Sequence, residues 1–472
     1  MKNLHQSLID RMHNENYHLV SIDLFSGPGG LCTGFKWAGI LPLIAVEWTD
    51  STVETYSVSH NTDVFELSEY NKDGITNDSY LEKFCTESTK SLMIHGDINK
   101  VESWLIRHFL LTRYGIDSEN ETIDIVSGGA PCESFSMAGK RTANDERDDL
   151  FSNILRIART LRSKSVLFEN VKGMFSKAKN GKKGAIFNYI CDSFEDDNAD
   201  VVYRLMSRKQ DEILLKACDY GVPQVRERLF LIGVRSDLDN IKIKYPVKKY
   251  GPEREYPYVT SWEAISDLPI INSKEEKTSY TLPNNYMNDN QERFVSIMRG
   301  LYNDEYMNTN VPQYLIDKGL FAENTVSVHK GPGHIPRKIK LLEQIRVNES
   351  MKSAFARIEA EGNMTPDIRA LFPKTIYGSR NRRLIQNEPS FTVTSHCLDE
   401  ILHPYLIRAI TPREAARLQS FPDWYQFAGP YVQFHGSKEQ DKYEQIGDAI
   451  PPLLACAIAK EFIISLPNHA NE

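Results

Sequence analysis

The sequence predicts an α/β protein. It should hold a doubly wound, mainly parallel sheet with helices on both faces, and a smaller irregular domain rich in short strands and loops. Three observations predict this. Over residues 19–235 short apolar runs alternate with stretches of helical spacing, the pattern of strand–helix units in a parallel sheet. Over residues 236–395 proline, tyrosine, asparagine and lysine become more frequent and the periodicity fades. Helical spacing then returns near the end of the chain. The division implied is a polar extension at 1–18, a first domain at 19–240, a second at 241–405, and helices at 406–472 that return to the first.

Each element has a local reason. "LVSIDLF", "PLIAVE", "SLMIHGDI", "IDIVSGG" and "SVLFENV" are short apolar runs bounded by polar or turn residues, which read as buried strands. "GLCTGFKWAGI", "VESWLIRHFLLTRY" and "DDLFSNILRIARTLR" lie between them with helical spacing. Residues 61–90 are polar and are expected to form a surface insertion. In "TPREAARLQSF", Thr411 suits the helix N-cap, Pro412 the first helical position, and Glu414 the capping box. "IPPLLACAIAKEFI" is apolar behind two prolines and predicts a buried helix.

Size and composition bound the function. The chain has 472 residues, 41% of them hydrophobic, which suits roughly two or three domains and a sizeable core. It contains no apolar run of about 18 residues, so no membrane span is expected. Its polar start lacks the apolar core of a signal peptide. The seven cysteines are scattered and never form C-x-x-C. That argues against a disulfide framework and a zinc site, and for a reducing cytoplasm. The net charge of −8 does not advertise nucleic-acid binding, although a whole-chain sum can hide a basic face.

Three stretches carry candidate binding chemistry. "IDLFSGPGGLCTGF" reads as a strand, a glycine turn and a helix start, where backbone N–H groups are free to meet a ligand. It is neither G-x-G-x-x-G, because Cys32 stands at the third glycine, nor a P-loop; alone it is equally a tight structural turn. Glu47 ends the second strand 20 residues after Gly27, where doubly wound folds place a carboxylate on ribose hydroxyls. Asp97 ends the third strand and could meet an adenine edge, or simply cap a helix. Together they suggest an adenosine-containing cofactor without a pyrophosphate.

Two further stretches carry candidate catalytic groups. "SGGAPCESFS" puts Cys132 behind Pro131 at the C-terminal end of the fourth strand, the edge where open sheets bind ligands. Proline fixes its own φ and restricts its predecessor, which helps aim a thiol. Glu169 ends the fifth strand on the same edge, and burial there would let its carboxyl keep a proton. In "GVPQVRERLFLIGV", Arg226 and Arg228 alternate on one face of a strand and could reach an anion or a carbonyl.

The order of "DLFSGPGG", "GDI", "GGAPCESFS", "FENV", "GVPQVRERLFLIGVR", "TPREAARLQSFPD" and "QIGDAIPP" resembles the DNA cytosine-5 methyltransferases of bacterial restriction-modification systems. The resemblance implies S-adenosylmethionine as cofactor, in a methyltransferase fold with a target-recognition domain. Phe25 would stack near adenine, Glu47 hold the ribose and Asp97 the adenine edge. Ser26, Gly27, Gly29, Gly30, Trp48, Ile98, Pro131, Asp448 and Ala449 would complete that site. Cys132 would be the nucleophile, Glu169 the acid at the base's N3, Arg228 the O2 contact, and Arg226 its support. The target cytosine would have to be flipped out of its duplex.

The same resemblance assigns the DNA contacts. "ESFSMAGKRTANDE" would be a closing loop, with Ser134, Ser136, Lys140 and Arg141 on phosphates. The irregular domain would supply a basic surface from Lys330, Arg337, Lys338, Lys340, Arg346, Arg380, Arg382 and Arg383, with Thr392 on a displaced phosphate. The implied partners are double-stranded DNA and a restriction endonuclease. The enzyme would be a cytoplasmic monomer with no metal. The chain departs from the family pattern at Ala130, where a proline is usual, at Glu133 for glutamine, and at Asp448 for asparagine; Asp448 is expected to be partly buried against hydrogen-bond donors, with plain exposure as the alternative. Rival readings are a transfer-RNA methyltransferase, a catalytically dead DNA-binding protein and a nicotinamide oxidoreductase. The long second domain, the intact Cys132, Glu169 and Arg228, and the glycine spacing argue against each in turn.

Overall fold

The five apolar runs are neighbouring strands of one sheet in the computed structural model, which describes residues 4–72, 74–119, 121–130, 150–179, 182–433 and 439–467. Its strands are β1 (Leu19–Leu24), β2 (Ile40–Glu47), β3 (Asp63–Glu66), β4 (Leu92–His95), β5 (Ile125–Gly128), β6 (Ser165–Val171), β7 (Tyr203–Leu205), β8 (Leu214–Lys216) and β9 (Glu227–Arg235). They run in the order β7-β9-β6-β5-β1-β2-β4-β3, with β8 also paired to β9. The six strands from β6 to β3 are parallel, whereas β9 runs antiparallel to β6, β7 and β8. Every residue of β1 and β2 is buried, so both strands read as near-continuous apolar runs rather than as alternations.

The chain leaves β1 toward β2 and β4 and returns on its other side as β5, which makes the C-terminal end of β1 the switch point where ligands bind. The register sets three segments along this edge. Leu24 pairs with Gly128, and Gly128 with Phe168. The glycine turn after β1, the Gly129–Ala130 segment after β5 and Glu169 in β6 therefore lie within two strand spacings, about 10 Å.

Residues 61–90 correct the expectation of a surface insertion. Asp63–Glu66 is the edge strand of the main sheet. Its Phe65 is fully buried among the rings of Tyr70, Tyr80, Phe84 and Phe109. A four-residue strand with one core side chain between charged residues leaves no periodic signal.

The C-terminal helices return as expected. Thr411 accepts from the Glu414 N–H while the Glu414 carboxylate accepts from the Thr411 N–H, and Pro412 opens the helix Pro412–Leu418. The helix α1 (Gly30–Ala38) packs against α2 (Pro452–Ser465) at backbone contact. A Cβ on Gly34 would sit 2.4 Å from the Pro452 carbonyl oxygen and 2.6 Å from the Cys456 nitrogen.

Between residues 241 and 405 the expected long loops are present, but the short strands amount to two-residue pairings such as Arg382–Arg383 with Ile401–Leu402. Short helices carry the packing instead: Pro336–Glu343 and Met351–Ala360 bury Leu341, Leu342, Met351, Ala354 and Ile358 in a small cluster separate from the main core. Among the described residues no helix is long and apolar enough to cross a membrane.

Replacing Gly34 by alanine should destabilise the fold by about 1–3 kcal/mol, because the obstructing atoms are backbone and cannot rotate away. A lowered urea midpoint at unchanged slope would show it.

Candidate active site

The first half of the site is the turn between β1 and α1. Phe25 takes φ +54°, a left-handed value for a side-chain-bearing residue, and Gly27 follows at φ +55°. Such strain persists only where surroundings impose it, and it clusters at functional turns. Here the imposing group is Glu47 at the end of β2. Its Oε2 accepts from the Gly27 N–H at 2.9 Å, and its Oε1 from the N–H groups of Trp48 and Thr49 at 2.8 and 3.1 Å. Trp48 beside it is 72% exposed, which leaves an aromatic face available at the rim.

The glycines divide into two roles. A Cβ on Gly27 would meet nothing within 4 Å, so this position opens onto free space. One on Gly30 would stand 2.1 Å from the Ile450 carbonyl oxygen, and one on Gly29 would strike Tyr425, His60 and Tyr56. Gly29 and Gly30 were expected to admit a cofactor; what their missing side chains admit is the chain's own packing. The turn is fixed from below as well, since the Tyr425 hydroxyl donates to the Pro28 carbonyl and contacts His60 Nε2 at 3.0 Å.

Two buried polar atoms lie beside this turn without partners among the described residues: Ser26 Oγ and Asp23 Oδ2. Asp23 was not singled out from the sequence. Burial pushes its carboxyl up to about 7, Glu47 adds to the rise, and the hydrogen bond from Ser127 partly opposes it. Asp97 does cap a short helix: its Oδ1 accepts from the Asn99 N–H at 3.0 Å. That commits one carboxylate oxygen to the chain. Ile98 is buried in the first position of that helix. On the far side, Ala449 is buried and its carbonyl accepts from Gln419 Nε2 at 3.0 Å. Asp448 corrects one expectation, because it is exposed rather than partly buried; its Oδ2 does meet a donor, Gln440 Nε2, at 3.1 Å.

The second half is an acid and an arginine on adjacent antiparallel strands. Glu169 pairs with Phe230 and Arg228 with Val171, which brings Arg228 Nε to 3.0 Å from Glu169 Oε1. Both side chains are about 15% exposed. Burial raises the Glu169 carboxyl above its ordinary value, although the guanidinium groups of Arg228 and Arg226 pull the other way. Desolvation therefore outweighs both cations.

Arg226 does not share the accessible face with Arg228. It precedes β9, is 1% exposed, and donates to the Val393 and Gly447 carbonyls at 2.7 and 2.8 Å. It braces three segments, and its support of Arg228 is indirect.

Pro131, Cys132, Glu133, Ser134, Ser136, Lys140 and Arg141 lie outside the described residues. The segment leading to them is placed, however. A Cβ on Gly129 would stand 2.7 Å from Glu169 Oε2, and Asn170 Nδ2 donates to the Ala130 carbonyl at 3.3 Å. Gly129 and Asn170 were missed in the sequence, although both adjoin residues that were marked.

A family model for C-5 cytosine-specific DNA methylases matches residues 78–463. The chain belongs to the C-5 cytosine-specific DNA methylase family. It is 30% identical to the type II methyltransferase M.DdeI of Desulfomicrobium norvegicum, over 95% of this chain and 91% of that one. It is 28% identical to the type II methyltransferase M.AgeI of Thalassovita gelatinovora, over 94% and 99%. Among solved structures, a prophage-encoded protein of E. coli described as a DNA modification methyltransferase superposes with a TM-score of 0.63 at 25% identity, covering 96% of this chain and all of that one. The protein is thus a DNA (cytosine-5-)-methyltransferase, with the α/β methyltransferase fold that its sequence predicts.

For this methylase the expected DNA contacts fare unevenly. Arg382 stacks 4.1 Å from the Phe391 ring centroid, and its Nε donates to the Ser379 carbonyl. Arg380 is 43% exposed and paired with Asp399 at 2.6 Å. Lys330 and Arg346 pair with Glu276 and Glu361 at 3.4 Å, Lys338 donates to Asn381, and Arg337 to the Ala370 carbonyl. Arg383 is no surface group: it is 5% exposed and donates to four backbone carbonyls, those of Leu342, Ile345, His403 and Leu406. The Thr392 hydroxyl donates to the Val225 carbonyl at 2.6 Å, so its proton is committed to the chain and not offered to a phosphate.

Two pH effects follow. Asp23 is raised in the folded protein, so its contribution to stability is complete below about pH 4 and lost as pH rises to about 7. The loss is on the order of 4 kcal/mol, and chemical denaturation across this range should show the slope flattening in Asp23→Asn. Glu169 is raised as well, so any step needing its protonated form is full at low pH and falls as pH rises through its folded value. Arg228→Gln should move that limb of the kcat profile to higher pH by removing the cation that favours the carboxylate, and Glu169→Gln should abolish it.

Proposed function

We propose that this enzyme methylates C5 of a cytosine flipped out of duplex DNA, with S-adenosylmethionine as donor and Cys132 as covalent nucleophile. The observation that carries the reading is the shared sheet edge. The Phe25–Gly27 turn clasped by Glu47 and Glu169 are within about 10 Å of each other by strand spacing, Gly129–Ala130 lies between them, and Arg228 is on the next strand beyond Glu169.

The residues fit the cofactor. The Glu47 carboxylate suits ribose hydroxyls and would repel a pyrophosphate. Ser26 Oγ is buried and unsatisfied among the described residues, Gly27 faces open space, and Trp48 offers an exposed ring. Phe25, Asp97, Ile98, Asp448 and Ala449 would border the same group. When bound, it supplies a methyl carbon made electrophilic by a positive sulfur.

The chain's own groups supply the rest. C5 of an intact cytosine is a poor nucleophile. The Cys132 thiolate adds to C6, the ring's conjugation is broken, and electron density is delivered to C5. Glu169, whose carboxyl is raised by burial, holds a proton at N3 and so favours the addition. Arg228 donates to O2 and, through its hydrogen-bonding contact with the carboxyl, keeps Glu169 oriented. After C5 has gained the methyl group it loses its proton to a base, and the thiolate leaves C6 to restore the ring. Splitting one hard displacement into addition and elimination is what covalent catalysis provides.

Residues 241–405 would select the DNA sequence, with Arg380 and Arg382 as exposed or half-exposed cations at its surface. Phosphate contacts there would position the duplex, and contacts to base edges would choose the site. The kinship to type II methyltransferases supports a role in shielding DNA from a restriction endonuclease.

Cys132→Ser should abolish methyl transfer, a loss of at least about 10⁴-fold, while leaving DNA binding intact in gel-shift titration. DNA carrying 5-fluorocytosine should trap the wild-type enzyme as a denaturation-resistant adduct, because fluorine cannot leave as a proton does. Active enzyme that gave no adduct would sink the covalent assignment.

A further inference from the structure

Asp448 is the last residue of the helix Lys442–Asp448. A negative charge is unfavourable there, because the carbonyl oxygens at a helix C-terminus already present negative potential. An ionised carboxylate can only accept hydrogen bonds, so the position needs a donor that an asparagine would not.

Gln440 supplies one such donor. Its Nε2 stands 3.1 Å from Asp448 Oδ2, while its Oε1 accepts from the Thr52 hydroxyl at 2.9 Å. The amide's orientation is fixed by chemistry: the carboxylate cannot donate, so the NH₂ must face it, and the threonine hydroxyl supplies the other oxygen. The Gln440 backbone is held too. Its N–H donates to Ser51 Oγ at 3.1 Å, and its carbonyl accepts from Ser51 Oγ at 2.9 Å and from Gln445 Nε2 at 3.1 Å. Ser51 and Thr52 lie in the first turn of the helix Asp50–His60, directly after the Glu47–Trp48 turn. One side chain therefore spans from the segment beside Glu47 and Trp48 to Asp448 and Ala449.

Resting on the reading of those two segments as opposite walls of the cofactor site, we propose that Gln440 is a positioning residue for cofactor binding. Its amide fixes the spacing of the two walls and makes an aspartate workable at residue 448. Gln440 touches no reacting atom, so its effect belongs in cofactor affinity and not in turnover.

The test reverses the polarity of the hydrogen bond. Gln440→Glu sets two carboxylates face to face and should raise KM for S-adenosylmethionine by about tenfold, the loss of one hydrogen bond to a charged group, with kcat little changed. Asp448→Asn alone keeps an oxygen that accepts from Gln440, and it is the reference against which the double variant is read. In the double variant Gln440→Glu/Asp448→Asn, the asparagine NH₂ donates to the new carboxylate, whose second oxygen still accepts from Thr52, so KM should fall from the Gln440→Glu value to that of Asp448→Asn. Calorimetric titration with S-adenosylhomocysteine gives the same comparison without turnover, and thermal melting shows that each variant is folded. Gln440→Leu removes the bond without adding charge and should weaken binding less than Gln440→Glu does.

Rescue in the double variant, in both KM and calorimetry, is the expected result. Additive losses, or a fall in kcat with KM unchanged, would overturn the proposal. Wild-type protein that fails to bind S-adenosylhomocysteine would overturn the underlying reading of the cofactor site, which is a different result from failed rescue.

Discussion

The architecture depends on one close contact, the passage of the chain's end across the first helix of the sheet domain. At Gly30 and Gly34 the backbone of residues 450–456 comes so near that a single methyl group would not fit. Leu454, Ala455, Ile458, Ala459 and Phe462 then bury themselves on that helix. The contact sets the height of the glycine turn, because Gly30 begins the helix and Phe25 to Gly29 lie directly before it. Tyr425 reinforces it by bonding to Pro28 from the same returning segment. The glycine turn is thus shaped by residues more than 390 positions later in the chain.

A second layer of buried polar contacts joins the returning segment to the rest. Arg417 bonds to Asp267 and Asp423, and Asp423 also meets Arg299 and Arg413, all of them nearly or completely excluded from solvent. The cations hold Asp423 far below the usual carboxylate range despite its burial. Removing one partner from such a group costs about 3–5 kcal/mol, since it leaves a charge buried alone. Arg226, Gln224 and Gln419 make a comparable cluster nearer the site. Gln224 takes the Val393 N–H and gives to Leu418 and Gln419, and Gln419 gives to Ile446 and Ala449. These side chains bond mostly to backbone, so they fix segments of the chain relative to one another.

Two arginines two residues apart come to do different things. Arg228 pairs with the Glu169 carboxylate and keeps some exposure, and Arg226 is fully enclosed with carbonyls for partners. A strand alternation puts both on one face in principle. The strand begins only at Glu227, however, and the preceding turn directs Arg226 into the seam where residues 393 and 447 meet. Asp97 and Arg383 make the same point in other surroundings: each has the residue type a ligand site needs, and each gives part or all of its hydrogen bonding to its own backbone.

The sequence by itself determined the elements and their order. Buried strands in a doubly covered sheet must be apolar on both faces, so β1, β2, β4, β5 and β6 announce themselves. The capping box at Thr411 and the acid near the end of β6 are equally local, since a cap needs its residues three apart and Glu169 needs only its place near the C-terminal end of a strand. The tertiary structure alone decided which polar groups remain available. Whether an arginine, an aspartate or a glycine serves a ligand or the chain depends on what approaches it through space, and that neighbour is often hundreds of residues away. The edge strand Asp63–Glu66 was hidden for a related reason: its one core side chain, Phe65, is buried by rings brought in from other elements. Local composition carries propensity, and only the assembled fold assigns partners.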